Sequence, residues 1–177
     1  MMVRKRQQLL IDRPTNDSGG TGIAEGHPPE ARAVMSQVEL FLRAGQPRRA
    51  LDLLARGKVQ SPWATNATGV CLLRLGQADR AVELFRPLVL AGSLFVRPDV
   101  PTAWKVNFAT ALLLTDNLSG CVEVLADIQE EDHPGVQRLR AALREWRGRL
   151  SLWERVRWFL GEQPDRRVEL DFPPGEL

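Results

Sequence analysis

The residues of this chain that could do chemistry are few. There are two histidines, His27 and His133, and two cysteines, Cys71 and Cys121. His133 stands beside Asp132 and could ligate a metal, but no cysteine or second histidine lies at ligand spacing, so it reads as a junction residue. His27 has no such neighbour either. The GGTG run at residues 19–22 lacks the following Lys and Ser or Thr of a phosphate loop and precedes no strand. Glu130, Glu131 and Asp132 form a short acidic junction instead of an acid–base pair. Each cysteine falls inside an apolar helical pattern, where a thiol behaves as a small buried hydrophobe. Sequence spacing supports no disulfide between them. No nucleophile with its base, metal set or phosphate loop emerges, so the chain reads as non-enzymatic, with no cofactor and no metal.

One segment carries concentrated charge. Residues 137–160 hold seven arginines against Glu145 and Glu154, a local charge of 7 − 2 = +5, interleaved with Trp146, Trp153 and Trp158. Such a face, presented by Arg140, Arg144, Arg147 and Arg155, could bind nucleic-acid phosphates with stacking or lie on an anionic membrane surface. The competing reading is an amphipathic capping helix with core tryptophans and with arginines solvated or paired to the acidic end of the chain. Residues 161–177 supply that counter-charge, with two Arg against five acidic residues, or 2 − 5 = −3. There Val168, Leu170 and Phe172 alternate with Glu169 and Asp171, which would fit a docked strand-like segment. A free, flexible acidic tail over 162–177 is the preferred reading.

The elements that would position these groups are helices. A chain of 177 residues suits one domain with its own core. Its net charge, 24 − 22 = +2, gives the whole molecule no field strong enough to argue for nucleic acid or membrane. Leu and Ala abundance with no Tyr leans toward helix. The N-terminal apolar run Leu9, Leu10, Ile11 is too short for a signal peptide, and no stretch approaches the roughly 18 apolar residues of a membrane span. A cytoplasmic protein is expected. Residues 1–30, rich in Gly, Pro, Ser, Asn and Asp and including the Arg4, Lys5, Arg6 cluster, read as a disordered leader.

The organising stretch is Ser61 to Leu90, two short amphipathic helices folded back at Leu75, Gly76 and Gln77. Ala67, Gly69, Ala78 and Ala81 sit where the backbones must approach. A related pattern precedes it, with Val34, Val38, Phe41 and Leu42, a break at Gly45, Gln46 and Pro47, then Ala50, Leu51, Leu53 and Leu54. A third unit runs from Trp104, Phe108, Ala109, Leu112 and Leu113 through a turn at Asp116 and Asn117 to Cys121, Val122, Val124, Leu125 and Ile128. The small residues of the second helices are spaced by 81 − 50 = 31 and 121 − 81 = 40, which puts an insertion in the loop at 91–101. Leu94, Phe95 and Val96 make that loop either functional or a cover for a helix end. Beyond Pro134, Gly148 and the Ser151-x-x-Glu154 capping pattern argue for two helices over one long one.

These residues resemble the tetratricopeptide-repeat family. The matches are Gly69, Leu72, Gly76, Ala81 and Phe85 in the central unit and Phe41, Gly45, Ala50, Leu54 and Pro62 in the first. In the third, Ala109, Leu112, Leu125 and Pro134 match, with Cys121 where alanine is usual and Asp116 where glycine is common. The resemblance covers roughly residues 31–134 and, with the terminal helices added, gives the expectation of an all-α domain over 31–161, a right-handed α-solenoid of about three antiparallel hairpins plus a C-terminal capping helix or helices. It also implies a scaffold that binds a protein or peptide in a concave groove lined by the first helix of each pair. Alignment of the units brings Met35, Glu39, Leu42 and Arg43, then Trp63, Asn66, Val70, Leu73 and Arg74, then Asn107, Thr110, Leu113 and Leu114 to that groove. Because Ala103 and Asn107 stand where the third unit of a carboxylate clamp would be cationic, a partner helix or extended apolar peptide suits the lining better.

Overall fold

In a computed structural model, residues 29–57, 60–92, 95–161 and 167–177 are described. Of the expected leader over 1–30, residues 1–28, with His27 and the GGTG run, lie outside the described residues, as do Leu94 and residues 162–166, whereas residues 29 and 30 open the first helix and do not belong to a leader. The regular elements of the described chain are helices apart from one small hairpin. In order run α1 (Pro29–Arg43), α2 (Pro47–Gly57), α3 (Pro62–Arg74), α4 (Ala78–Val89), β1 (Leu90–Ala91), β2 (Phe95–Val96), α5 (Thr102–Leu114), α6 (Leu118–Ala126), α7 (Pro134–Arg149) and α8 (Leu152–Phe159). The expected all-α class holds among the described residues, and the insertion at 91–101 carries a two-stranded antiparallel hairpin pairing Leu90 with Val96 and Ala91 with Phe95.

Helix ends arise from local chemistry. Ser61 Oγ accepts from the Ala64 N–H at 3.1 Å and Pro62 takes the first helical position, where a missing N–H costs nothing. His133 Nδ1 accepts from the Gly135 N–H, and Pro134 opens α7 in the same way. Ser151 and Glu154 make both bonds of a capping box, so α7 and α8 are separate helices, as the sequence pattern predicts.

Three helix pairs share one turn. In each, a left-handed residue follows the first helix: Gly45 (φ 67°), Gly76 (φ 72°) and Asp116 (φ 60°). Its N–H bonds the carbonyl three residues back, at Leu42, Leu73 or Leu113, and the next N–H reaches five residues back, to Phe41, Leu72 or Leu112. This is the Schellman arrangement three times over. The equivalent small residues of the second helices, Ala50, Ala81 and Cys121, are all fully buried. Asp116 therefore occupies the glycine position of the third turn and tolerates its conformation as a short polar residue can.

Within each pair the helices pack on one another, and α2 on α3 and α4 on α5 join the pairs in series. The first helices also touch across the array, α1 with α3, α3 with α5 and α5 with α7. Gly69 permits the closest approach: a Cβ there would stand 2.4 Å from the Phe85 ring. The amphipathic expectation fails for the inner helices. In α5 every residue from Trp104 to Leu113 is buried, including Lys105, Asn107 and Thr110, and α3 is nearly as enclosed. A helix covered on all sides shows no apolar stripe.

Candidate functional site

Much of what encloses α3 and α5 is the end of the sequence. Residues 167–177 run without helix or strand across α7, α5 and α3, and Val168, Leu170, Phe172 and Leu177 pack on the core. Of the two readings of this segment, free or docked, the described part is docked. Ion pairs tether its start, with Arg167 to Asp116 at 2.9 Å and Glu169 to Arg149 at 3.7 Å. Phe172 then lies against the Arg138 guanidinium, 5.5 Å from ring centre to cation.

The last residues are held through their main chain. Arg74 donates from Nε to the Pro174 carbonyl (3.3 Å), from Nη2 to that of Gly175 (3.0 Å) and from Nη1 to that of Leu42 (2.8 Å). All three partners are neutral carbonyls, so burial pulls the guanidinium below its ordinary pKa. Asn107, fully buried, bonds Glu176 in both directions: Nδ2 donates to its carbonyl at 2.8 Å and Oδ1 accepts its N–H at 2.9 Å. Asn107 Nδ2 also donates to Asn66 Oδ1 at 3.0 Å. This is the pairing a neighbouring β-strand would offer, made by one amide side chain on a helix. Gly175 has φ 79°, and a Cβ there would fall 3.1–3.3 Å from Val70 and Leu73.

The Glu176 carboxylate lies on α7. Its Oε2 pairs with Arg138 at 2.6 Å, while Oε1 is buried without a hydrogen-bond partner, over the Cα of Gly135 and 3.5 Å from His133 Nδ1. That nitrogen accepts from the Gly135 N–H, so its lone pair is committed to the helix cap. Val106, Asn107, Thr110, Gly135 and Arg138 line a residual cavity of about 160 Å³ under Phe172, Pro173 and Glu176.

Of the candidates aligned from sequence, Asn66, Val70, Leu73, Arg74, Asn107 and Thr110 converge on this segment, and Leu42 joins through its carbonyl. Met35, Leu42 and Leu113 have core side chains. Trp63 stacks edge-on with Trp104, centroids 5.0 Å apart. Glu39 and Arg43 pair with each other along α1, and Leu114 is exposed. Sequence reasoning missed Arg138, His133 and Gly135 because α7 reads as a cap instead of the next lining helix. A signal existed: Asn66 and Arg138 each stand four residues after the proline that opens their helix.

The residues of the alternative basic face, Arg140, Arg144 and Arg147 on α7 and Arg155 on α8, make separate contacts. Arg140 bonds the Leu125 carbonyl and pairs with Glu131, Arg147 stacks on Trp158, and Arg155 reaches the Gly148 carbonyl at 3.4 Å. Arg144 is exposed. Trp146 is core and meets Trp158 edge-on at 5.5 Å, whereas Trp153 is 71% exposed. Burial pushes the Cys121 thiol up to about 12 and, against the opposing pull of Arg74, the Cys71 thiol up to about 11. Neither is a nucleophile at neutral pH.

Among the described residues no helix is long and apolar enough to cross a membrane, and no group of three or more His, Cys, Asp and Glu could hold a metal ion. Compared with protein-family models, curated proteins and solved structures, the chain matches none.

Proposed function

We propose that this chain is a tetratricopeptide-like module, a right-handed helical-repeat scaffold that binds an extended protein segment along its first helices. It acts as a non-enzymatic adaptor in the cytoplasm. The observation that carries the reading is the double bond of the buried Asn107 to the main chain of residue 176, flanked by Arg74 on the two preceding carbonyls. Buried polar groups aimed at a backbone recognise extended chain whatever its side chains, as an open sheet edge does. The repeated Schellman turn and the serial packing of helix pairs support the repeat architecture.

The test is panning of a random peptide display library on the full chain. Bound peptides should be lost with Arg74→Met or Asn107→Leu and retained with Arg144→Glu plus Arg155→Glu. The reverse pattern sinks the reading.

A second reading, attachment to an anionic membrane surface or nucleic acid, draws on one observation. Leu152, Trp153, Val156 and Leu160 of the last helical segment are exposed beside Arg155. Sedimentation with anionic vesicles, or retention on nucleic acid, that falls steeply with salt and is lost with Trp153→Ser would favour it.

A further inference from the structure

Resting on the peptide-binding reading, we propose that residues 172–177, Phe-Pro-Pro-Gly-Glu-Leu, are a built-in occupant of the site. The partner is then a segment of another protein with the same chemistry, glycine followed by an acidic and an apolar residue, which must displace it. Three features of the seat set that chemistry. The position held by Gly175 favours glycine, because its backbone is left-handed and a Cβ there would fall 3.1–3.3 Å from Val70 and Leu73. The next position requires an acid, because its side chain falls on Arg138 with His133 and Gly135 behind it. The rest of the grip, from Arg74 and Asn107, is on main-chain atoms that any segment with the same turn at its glycine supplies.

The occupant is also imperfectly seated. Glu176 Oε1 is buried with no hydrogen-bond donor, and the nitrogen 3.5 Å away, His133 Nδ1, is already an acceptor of the Gly135 N–H. A ligand whose acid avoids that contact, as the shorter aspartate does, binds more tightly and competes against the advantage of tethering. That advantage is large, since a short covalent connection gives an effective concentration in the mM range. The site is therefore occupied in cis until a better sequence arrives or the tail is drawn away.

The experiment uses full-length protein and a fluorescent acetylated peptide, Glu-Leu-Asp-Phe-Pro-Pro-Gly-Glu-Leu, followed by anisotropy. Glu176→Lys, alone and with Gly175→Ala, unseats the tail in the protein, which faster hydrogen exchange of residues 167–177 verifies and circular dichroism checks for intact helix. The peptide should bind these variants at least ~10-fold more tightly than wild type. A peptide with Ala for the glycine or Lys for the acid should bind at least ~10-fold more weakly than the parent, and one with Asp for that Glu more tightly. If the tail is unseated and the peptide binds no better, the vacated seat takes no such segment from another chain and the proposal fails. If library peptides without a Gly-acid pair bind the same variants through Arg74 and Asn107, the adaptor reading stands and this inference falls. If no peptide binds, both fall. A wild-type dimer that dissociates on Glu176→Lys would assign the segment to a second copy and overturn the foreign partner.

Discussion

Two regions of this molecule concentrate polar groups, and they differ in what those groups face. On α3 and α5, Asn66, Arg74 and Asn107 are wholly or half buried, and their bonds go to one another and to the main chain of residues 42 and 174–176. On α7 and α8 the arginines are more numerous but mostly exposed, and their bonds go to nearby carboxylates, a ring and helix-end carbonyls. Arg138 stands between the two, exposed on α7 yet paired with Glu176. The contrast teaches that charge density is a poor guide to a recognition site. A buried amide has lost its water and must be repaid by a defined partner, whereas an exposed guanidinium keeps its hydration whether or not an acid is near.

The sharpest way to break this comparison is to remove the amide. Asn107→Leu keeps the volume but deletes three hydrogen bonds and leaves Asn66 buried without its partner. Urea melts should show a loss of about 2–4 kcal/mol, with faster exchange of the last residues. A loss under about 0.5 kcal/mol would put the cluster on a par with the protein surface and end the distinction.

How much of this could be read from the chain depends on whether the signal was local. The three turns were legible because Gly45, Gly76 and their flanking apolar residues repeat at fixed spacing, and Asp116 betrayed itself by standing at the third place. The break between α7 and α8 was legible because a capping box is a four-residue pattern. Asn66, Arg74 and Asn107 came from aligning the units, not from any sign of their own burial. The docking of the tail was not legible. Its bonds to Arg74 and Asn107 span 69 to 101 residues, and its composition is that of a solvated end. The enclosure of α5 was hidden for the same reason, since three of its buried positions are Lys105, Asn107 and Thr110.

Next in size is Gly175→Ala. An alanine must leave the left-handed region, at a cost of about 1–2 kcal/mol, or push into Val70 and Leu73. The expected result is a melting shift of that order with the helical signal unchanged. Protease sensitivity should be confined to residues beyond 161. Unchanged protection of the tail would mean that the seat is wider than the geometry allows and that the covered face does not select for glycine.

The cysteines probe the helices behind the covered face. Both thiols are held above their ordinary value of 9.0 by burial, Cys71 on α3 and Cys121 on α6. A raised acid pKa means that the folded state keeps a proton the unfolded chain releases. Stability is therefore flat below pH 9 and falls as pH climbs through 9 toward 11. With no tyrosine in the chain, the fall should be smaller in Cys71→Ala plus Cys121→Ala, and neither thiol of the native protein should react with iodoacetamide at pH 8.

The smallest effect belongs to the other side of the comparison. Arg155 is exposed, and its bond to the Gly148 carbonyl is 3.4 Å long, near the limit at which such a contact counts. Arg155→Gln keeps most of the aliphatic stem and removes one charge, so stability should move by no more than about 0.5 kcal/mol. Arg74→Met is its counterpart, equal in charge removed but taking a donor from the carbonyls of Leu42, Pro174 and Gly175, and should cost about 1.5–3 kcal/mol. The ratio of the two losses is the quantity to measure, because both changes delete one arginine from the same protein and shift net charge identically. A ratio near one would mean that removing positive charge governs both, and the field of the arginines would then outweigh the geometry of any single clamp.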